Sequence, residues 1–200
     1  MSDEVGAARI DGRTARALRT REAIVAAHLE LLRSGDLRPT GERIAEAAGV
    51  SLRTLWTSFK DMETLFAAAG EHLIDLQQAA YRAIPLGLPL VERITAFCEQ
   101  RAAMLEILAP AARAAMIREP FSAQLRRNRA IQIGRVSDEI ESLFGPELTA
   151  AGDGRQELRD ALVMATTYAA WAVLREHLDL DANGATAVMR RTIAALLGFG

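Results

Sequence analysis

The chain has 200 residues, half of them hydrophobic and a quarter charged, enough for one large domain or a small one joined to a larger, with a buried core. A net charge of −2 makes no case for nucleic acid from the whole-chain balance, and the single cysteine, Cys98, excludes an internal disulfide and points to a reducing compartment. The acidic N-terminus MSDEVGAARIDG lacks the apolar core of a secretory signal, and residues 161–174, the longest weakly polar run, are too few to span a bilayer, so a cytoplasmic protein with no membrane role is expected.

Residues 1–12 carry Gly, Ala and acids with no periodic face and predict a disordered tail. Helical spacing then runs from Thr14 to Ser34, with Ile24, Ala27, His28, Leu31 and Leu32 as the buried side. Gly35 ends this helix, and residues 36–39 form a link.

Thr40 is placed to cap a short helix whose first turn holds Glu42, an acid favoured at that end of the dipole. Ile44, Ala45 and Ala48 make its narrow apolar stripe, and Gly49 supplies the left-handed turn. Ser51 caps the next helix, with Val50 and Leu55 placed as a hydrophobic staple and Phe59 following Leu55 on the same face. Two short helices joined by a tight Gly-containing turn are written as a helix-turn-helix, whose second helix fits the major groove of B-DNA. Charge agrees with that placement: between residues 9 and 60, ten Lys or Arg residues face six acids, a local net of +4 that leaves −6 for the remainder.

The stretch IAEAAGVSLRTLWTSFKDMETLF resembles the DNA-binding signature of TetR-type transcriptional regulators, usually close to IAxxAGVSxxTLYxxFxxKexLl. Ile44, Ala45, Ala48, Gly49, Val50, Ser51, Thr54, Leu55, Phe59, Glu63 and Leu65 stand where the pattern wants them. Trp56 replaces its tyrosine, keeping a ring but exchanging the hydroxyl for an N–H that donates only. Met62 replaces the lysine that sits on a phosphate, so that contact is either lost or taken over by Lys60. Arg13, Arg16 and Arg19 read either as a solvated face or as the arm that regulators lay across phosphates or a minor groove.

After Phe59 the spacing predicts a long helix from Met62 to Ala83, stopped by Pro85, Gly87 and Pro89. In the family its counterpart carries movement between the two halves. Further helices are predicted from Leu90 to Leu108, Pro110 to Ile117, Phe121 to Phe144, Gln156 to Leu178 and Ala185 to Leu197, with breaks at Gly145, Pro146 and residues 150–154. The helix from Gln156 is apolar nearly all round between Ala161 and Leu174, which requires cover on most sides. The expected fold is therefore all-α with about nine helices. It divides into a tail (1–12), a three-helix helix-turn-helix domain (13–60), a connecting helix (61–84) and a larger C-terminal ligand and dimerisation domain (85–200).

For base readout the sequence offers Leu52, Arg53 and Thr54 on the second motif helix, behind its cap Ser51, and Gly41, Glu42 and Arg43 at the start of the first. An arginine facing the groove can pair bidentately with guanine O6 and N7. Thr40, Trp56, Thr57, Ser58 and Lys60 suit phosphate contacts that fix register, with a core aromatic as the other reading of Trp56. The resemblance implies a homodimer on a pseudo-palindromic double-stranded operator, paired through the last two long helices, and a small apolar effector held in the C-terminal domain. Candidates to line that site are Phe97, Cys98, Arg101, Met104, Met116, Phe121, Met164, Tyr168 and Trp171, although such a stripe also suits a plain core. Arg101 interrupts the apolar face of its helix and would pair with an acid or an acidic ligand.

The implied function is a repressor released by its ligand. The rivals are an activator or ligand-independent regulator of the same fold, and a helical enzyme or small-molecule carrier with a relic motif. His28, His72 and His177 lie in different helices without ligand spacing, and no phosphate loop or nucleophile elbow occurs, so neither metal, cofactor nor catalysis is expected.

Overall fold

The computed structural model describes the backbone of residues 2–198, and the side chains of that span except those of residues 2–11 and 13. The described residues are all-α, without a strand. The helices are α1 (Ser2–Arg33), α2 (Gly41–Ala47), α3 (Leu52–Ser58), α4 (Met62–Ala80), α5 (Leu90–Arg118), α6 (Ala123–Ala150), α7 (Arg155–Ala165), α8 (Tyr168–Ala172) and α9 (Ala182–Leu196). Short 3-10 turns precede α6 (Glu119–Phe121) and α7 (Gly152–Gly154), and a π-helical turn follows α8 (Val173–His177). None of these helices is long and apolar enough to cross a membrane.

The chain divides into two compact units, one formed by Met1–Ile74 with Pro110–Arg126, the other by Asp75–Ala109 with Arg127–Gly200. The return of Pro110–Arg126 to the N-terminal helices has a local cause. Glu63 accepts a hydrogen bond from the Gln124 backbone N–H at 2.9 Å, Ser122 accepts from Leu125 N–H at 3.1 Å, and the Arg118 guanidinium lies 5.8 Å over the Phe66 ring. Two of the orphan donors that open α6 are thus satisfied, one of them by a carboxylate suited to that end of the dipole.

In the first unit α1 begins at Ser2, where composition predicts a disordered tail over residues 1–12. No proline interrupts this stretch, Asp3 and Glu4 favour a helix start, and its alanines favour continuation. The other end of α1 is as expected. Gly35 takes φ +95°, Asp36 N–H reaches Leu31 O at 2.9 Å and Gly35 N–H reaches Leu32 O at 3.1 Å, a Schellman ending. The same device closes α2 through Gly49 (φ +65°), with Val50 N–H on Ala45 O at 2.9 Å. Helices α1, α2 and α3 pack on one another over Ile24, Ile44, Leu55 and Phe59, each fully buried. Burying a side chain of this size stabilises by about 1.5–3 kcal/mol.

The second unit has one core, made by Ile94, Phe97, Cys98 and Leu105 of α5, Val136, Ile140, Leu143, Phe144 and Leu148 of α6, Leu162, Trp171, and Ala185, Met189 and Ile193 of α9. Phe97 meets Phe144 edge to face, centroids 5.4 Å apart. Two helix boundaries differ from those expected. Pro110 lies inside one continuous α5, where two helices are expected; it removes one backbone donor from a helix of 29 residues and is carried by the rest. The break expected at Gly145 and Pro146 is present as a kink inside α6, where Phe144 (φ −118°, ψ 20°) leaves helical geometry between two helical stretches. Arg93 donates to the Leu143 carbonyl beside that kink and pairs with Glu147 at 2.5 Å.

The second change concerns the helix expected from Gln156 to Leu178, which breaks at Thr166 and Thr167. Thr166 Oγ1 donates back to Leu162 O at 2.9 Å and Val163 O at 3.0 Å, while Thr167 Oγ1 accepts from Ala170 N–H at 3.3 Å and so caps α8. Hydroxyls that offer the backbone alternative partners weaken a helix interior and suit its ends.

Candidate nucleic-acid interface

The two caps expected of the motif are present. Thr40 Oγ1 accepts from Arg43 N–H at 3.4 Å, and Ser51 Oγ accepts from Thr54 N–H at 3.0 Å. Each therefore fixes the first turn of a seven-residue helix that has few backbone bonds of its own. Leu55 and Phe59 turn inward, which leaves the other face of α3 outward.

On that outward side stand Ser51, Leu52, Arg53, Trp56, Thr57 and Lys60, all exposed, with Thr54 and Ser58 half-buried. Thr40, Glu42 and Arg43 are exposed at the start of α2, and Gly41 is half-buried between them. Several of these groups are already committed. Thr54 Oγ1 lies 2.8 Å from Ser51 Oγ, Thr57 Oγ1 donates to Arg53 O at 2.8 Å, and Arg43 Nε pairs with Asp36 Oδ2 at 2.8 Å. Glu42 is held below the usual carboxylate range by its own backbone N–H and by the Thr40 hydroxyl, so it stays an acceptor.

Trp56 is 38% exposed and Leu52 37% exposed. The indole is not a core aromatic. Its ring lies against α2, where a Cβ on Gly41 would stand 2.5 Å from Trp56 Cζ2 and 3.4 Å from Leu52 Cδ1. Met62 is half-buried at the start of α4, whereas Lys60 is exposed, and α4 is opened by Asp61, whose Oδ1 accepts from Thr64 N–H at 2.8 Å. That hydrogen bond, with the one from the Thr64 hydroxyl, lowers the Asp61 pKa.

One residue that the sequence reading missed supports this surface from beneath. Arg21 of α1 donates to the Ser58 carbonyl at the end of α3 and places its guanidinium 4.1 Å over the Phe59 ring. A cation at a helix C-terminus satisfies an orphan carbonyl and suits the dipole. Nothing in the spacing of α1 marks Arg21 apart from Arg16 and Arg19, which are exposed; the side chain of Arg13 lies outside the described residues.

The nine residues expected around a small molecule separate. Phe97, Cys98 and Trp171 join one buried cluster with Tyr168 packed against it, and Arg101 and Met104 are also buried. Met164 is exposed in the same unit, while Met116 and Phe121 belong to the other unit and are exposed, Phe121 at 91%. Burial pushes the Cys98 thiol up to about 12, which leaves it unreactive. Arg101 donates through Nε to the Thr166 carbonyl at 2.8 Å, the group freed by the break after α7. Burial lowers its pKa to about 10 against the attraction of Glu139. Glu106 accepts from Trp171 Nε1 at 2.8 Å and Arg175 Nε at 3.0 Å.

Among known proteins, no family model and no curated sequence matches the chain. A solved structure of a transcriptional regulator from Rhodococcus sp. Rha1 is similar, with a TM-score of 0.69 and 17% sequence identity, over 89% of this chain and 96% of that one. The likeness is one of fold: the all-α arrangement is shared nearly end to end with a transcriptional regulator.

Proposed function

We propose that the chain is a DNA-binding transcriptional regulator of the TetR type, acting as a homodimeric repressor that a small apolar ligand releases from a pseudo-palindromic operator. The observation that carries this reading is the outward face of α3, where Arg53 and Trp56 stand exposed while Leu55 and, just past the helix end, Phe59 are buried, with Lys60 exposed beyond them. Arg53 reads guanine, Leu52 meets a thymine methyl, and Thr40, Trp56, Thr57, Ser58 and Lys60 fix register on phosphates. The similar fold of a transcriptional regulator supports the same reading.

Dimerisation is supported by apolar side chains left open on the C-terminal helices of the single chain, Met164, Val173 and Val188 among them. A second copy covers them and sets two recognition helices about one DNA turn apart, roughly 34–36 Å. Phe97, Cys98, Met104, Tyr168 and Trp171 supply the apolar surround for the effector. The effector weakens DNA binding by as much as it prefers the non-binding conformation, and no more.

Fluorescence anisotropy of the full chain with a labelled random duplex tests the reading at its root. Binding that weakens linearly on a log–log plot as salt rises supports it; a flat, unbound signal at low ionic strength refutes it.

A further inference from the structure

We propose that Arg21 of α1 is a positioning residue for duplex binding: it fixes the C-terminal end of α3, and with it the side chains assigned to phosphates, without touching DNA itself. The inference rests on the nucleic-acid reading above and gives that interface a residue from outside the motif. Arg21, α3 and Lys60 all belong to the first unit.

With seven residues, α3 has too few backbone hydrogen bonds to hold its own direction, so its placement depends on what pins each end. The N-terminal end is pinned locally. Ser51 Oγ accepts from Thr54 N–H at 3.0 Å, and the side chains of Leu52 and Trp56 rest against Gly41 of α2. The C-terminal end lacks such a device: its last turn has no basic residue, no glycine follows it, and the chain leaves through Phe59 in extended conformation (φ −131°, ψ 119°). Phe59 N–H closes on Leu55 O at 2.8 Å, while the Ser58 carbonyl accepts from the Arg21 guanidinium, 37 residues back in the chain. The same guanidinium lies 4.1 Å over the ring of the fully buried Phe59. A planar cation that bonds a helix-terminal carbonyl and stacks on the next ring fixes both the height and the tilt of that end, which a lysine ammonium does less well.

The end so held is the one that carries the register contacts. Trp56, Thr57 and Ser58 fill the last turn of α3 and Lys60 follows two residues later, whereas Leu52, Arg53 and Thr54 lie beside the Ser51 cap. Arg21 is half-buried and turned onto Ser58 and Phe59, while Arg16 and Arg19 of the same helix are exposed. Its charge is thus spent inside the unit, and its effect on DNA passes through α3.

The test measures affinity of the full chain for a labelled random-sequence duplex at low salt, for wild type, R21Q, R21K, K60A and the R21Q/K60A double variant, with far-UV circular dichroism to establish folding. R21Q should weaken binding about tenfold, the loss of one charge-assisted hydrogen bond, and R21K about threefold although it keeps the charge. On the K60A background R21Q should cost about threefold or less, because the two residues act through one helix end. Acrylamide quenching without DNA should rise in both Arg21 variants, since it reports the exposed Trp56 far more than Trp171, which is 1% exposed. An equal loss from R21Q on both backgrounds with wild-type affinity in R21K overturns the proposal in favour of a direct phosphate contact. Wild-type affinity in a folded R21Q overturns it in favour of packing alone. Should R21Q not fold, R21K decides: weaker binding with raised quenching supports the proposal, and wild-type affinity overturns it. Each of these results leaves the nucleic-acid reading intact; a wild type that binds no duplex overturns both.

Discussion

The Trp56 indole rests on the backbone of Gly41, so close that an added Cβ would stand 2.5 Å from Cζ2. The start of α2 and the outward face of α3 are therefore one surface, and a side chain at residue 41 must displace the ring. Alanine in a helix is otherwise favoured over glycine by roughly 0.5–1 kcal/mol. Gly41→Ala should thus fold with little change in Tm while shifting Trp56 fluorescence and weakening duplex binding about tenfold. Unchanged emission with unchanged affinity would show that the contact does not position the ring for DNA.

Arg53 and Lys60 are assigned different work, and the two substitutions should differ in kind. Arg53→Ala should cost about 1–3 kcal/mol on a preferred site and little on random duplex, erasing preference at one base pair. Lys60→Ala should weaken both equally and lower the salt slope by about one contact. Paired titrations on the two duplexes decide it; equal, negligible losses would remove both assignments.

Arg101 is predicted to be a structural cation. Its Nε satisfies the Thr166 carbonyl at the break between α7 and α8, and that carbonyl belongs to a residue with no exposed surface. Arg101→Met keeps the stem but orphans the acceptor, which should destabilise the fold by about 1–3 kcal/mol in urea unfolding. A carboxylate ligand that binds through Arg101 instead would leave stability unchanged and lose only its own affinity.

His28 makes folding sensitive to acid. Its ring is buried against Phe66, centroids 5.9 Å apart, and burial together with the Arg118 charge lowers its pKa from 6.5 to about 4. Between those values the unfolded chain binds a proton that the folded chain does not, so stability falls as pH falls through the window. The loss from pH 7.5 to 5 should be about 2 kcal/mol. In urea titrations at the two pH values, His28→Leu should flatten the pH dependence by that amount. An unchanged difference would assign the acid sensitivity to other groups.

The caps and turns were legible because they are local. Thr40, Ser51, Gly35 and Gly49 act on atoms within five residues, and the structure places each where the spacing does. What the sequence hid depends on partners far along the chain. Arg21 finds the Ser58 carbonyl 37 residues away, Arg101 finds Thr166 after 65 and Glu106 finds Trp171 after 65. Pro110 misled for the opposite reason: a local breaker was overruled by the long helix around it. The spread of the effector candidates has the same origin, since helical spacing makes Met116 and Phe121 look interior and only packing shows them open.

The central claim is that α3 presents Arg53 to a groove twice per assembly, in matched orientation. Selection of duplexes bound by the full chain from a random pool tests this most directly. Enrichment of an inverted repeat, with half-sites about one helical turn apart and a guanine whose preference disappears in Arg53→Ala, is the predicted result. A pool that emerges unenriched, or a single asymmetric site recovered equally well by Arg53→Ala, would contradict it.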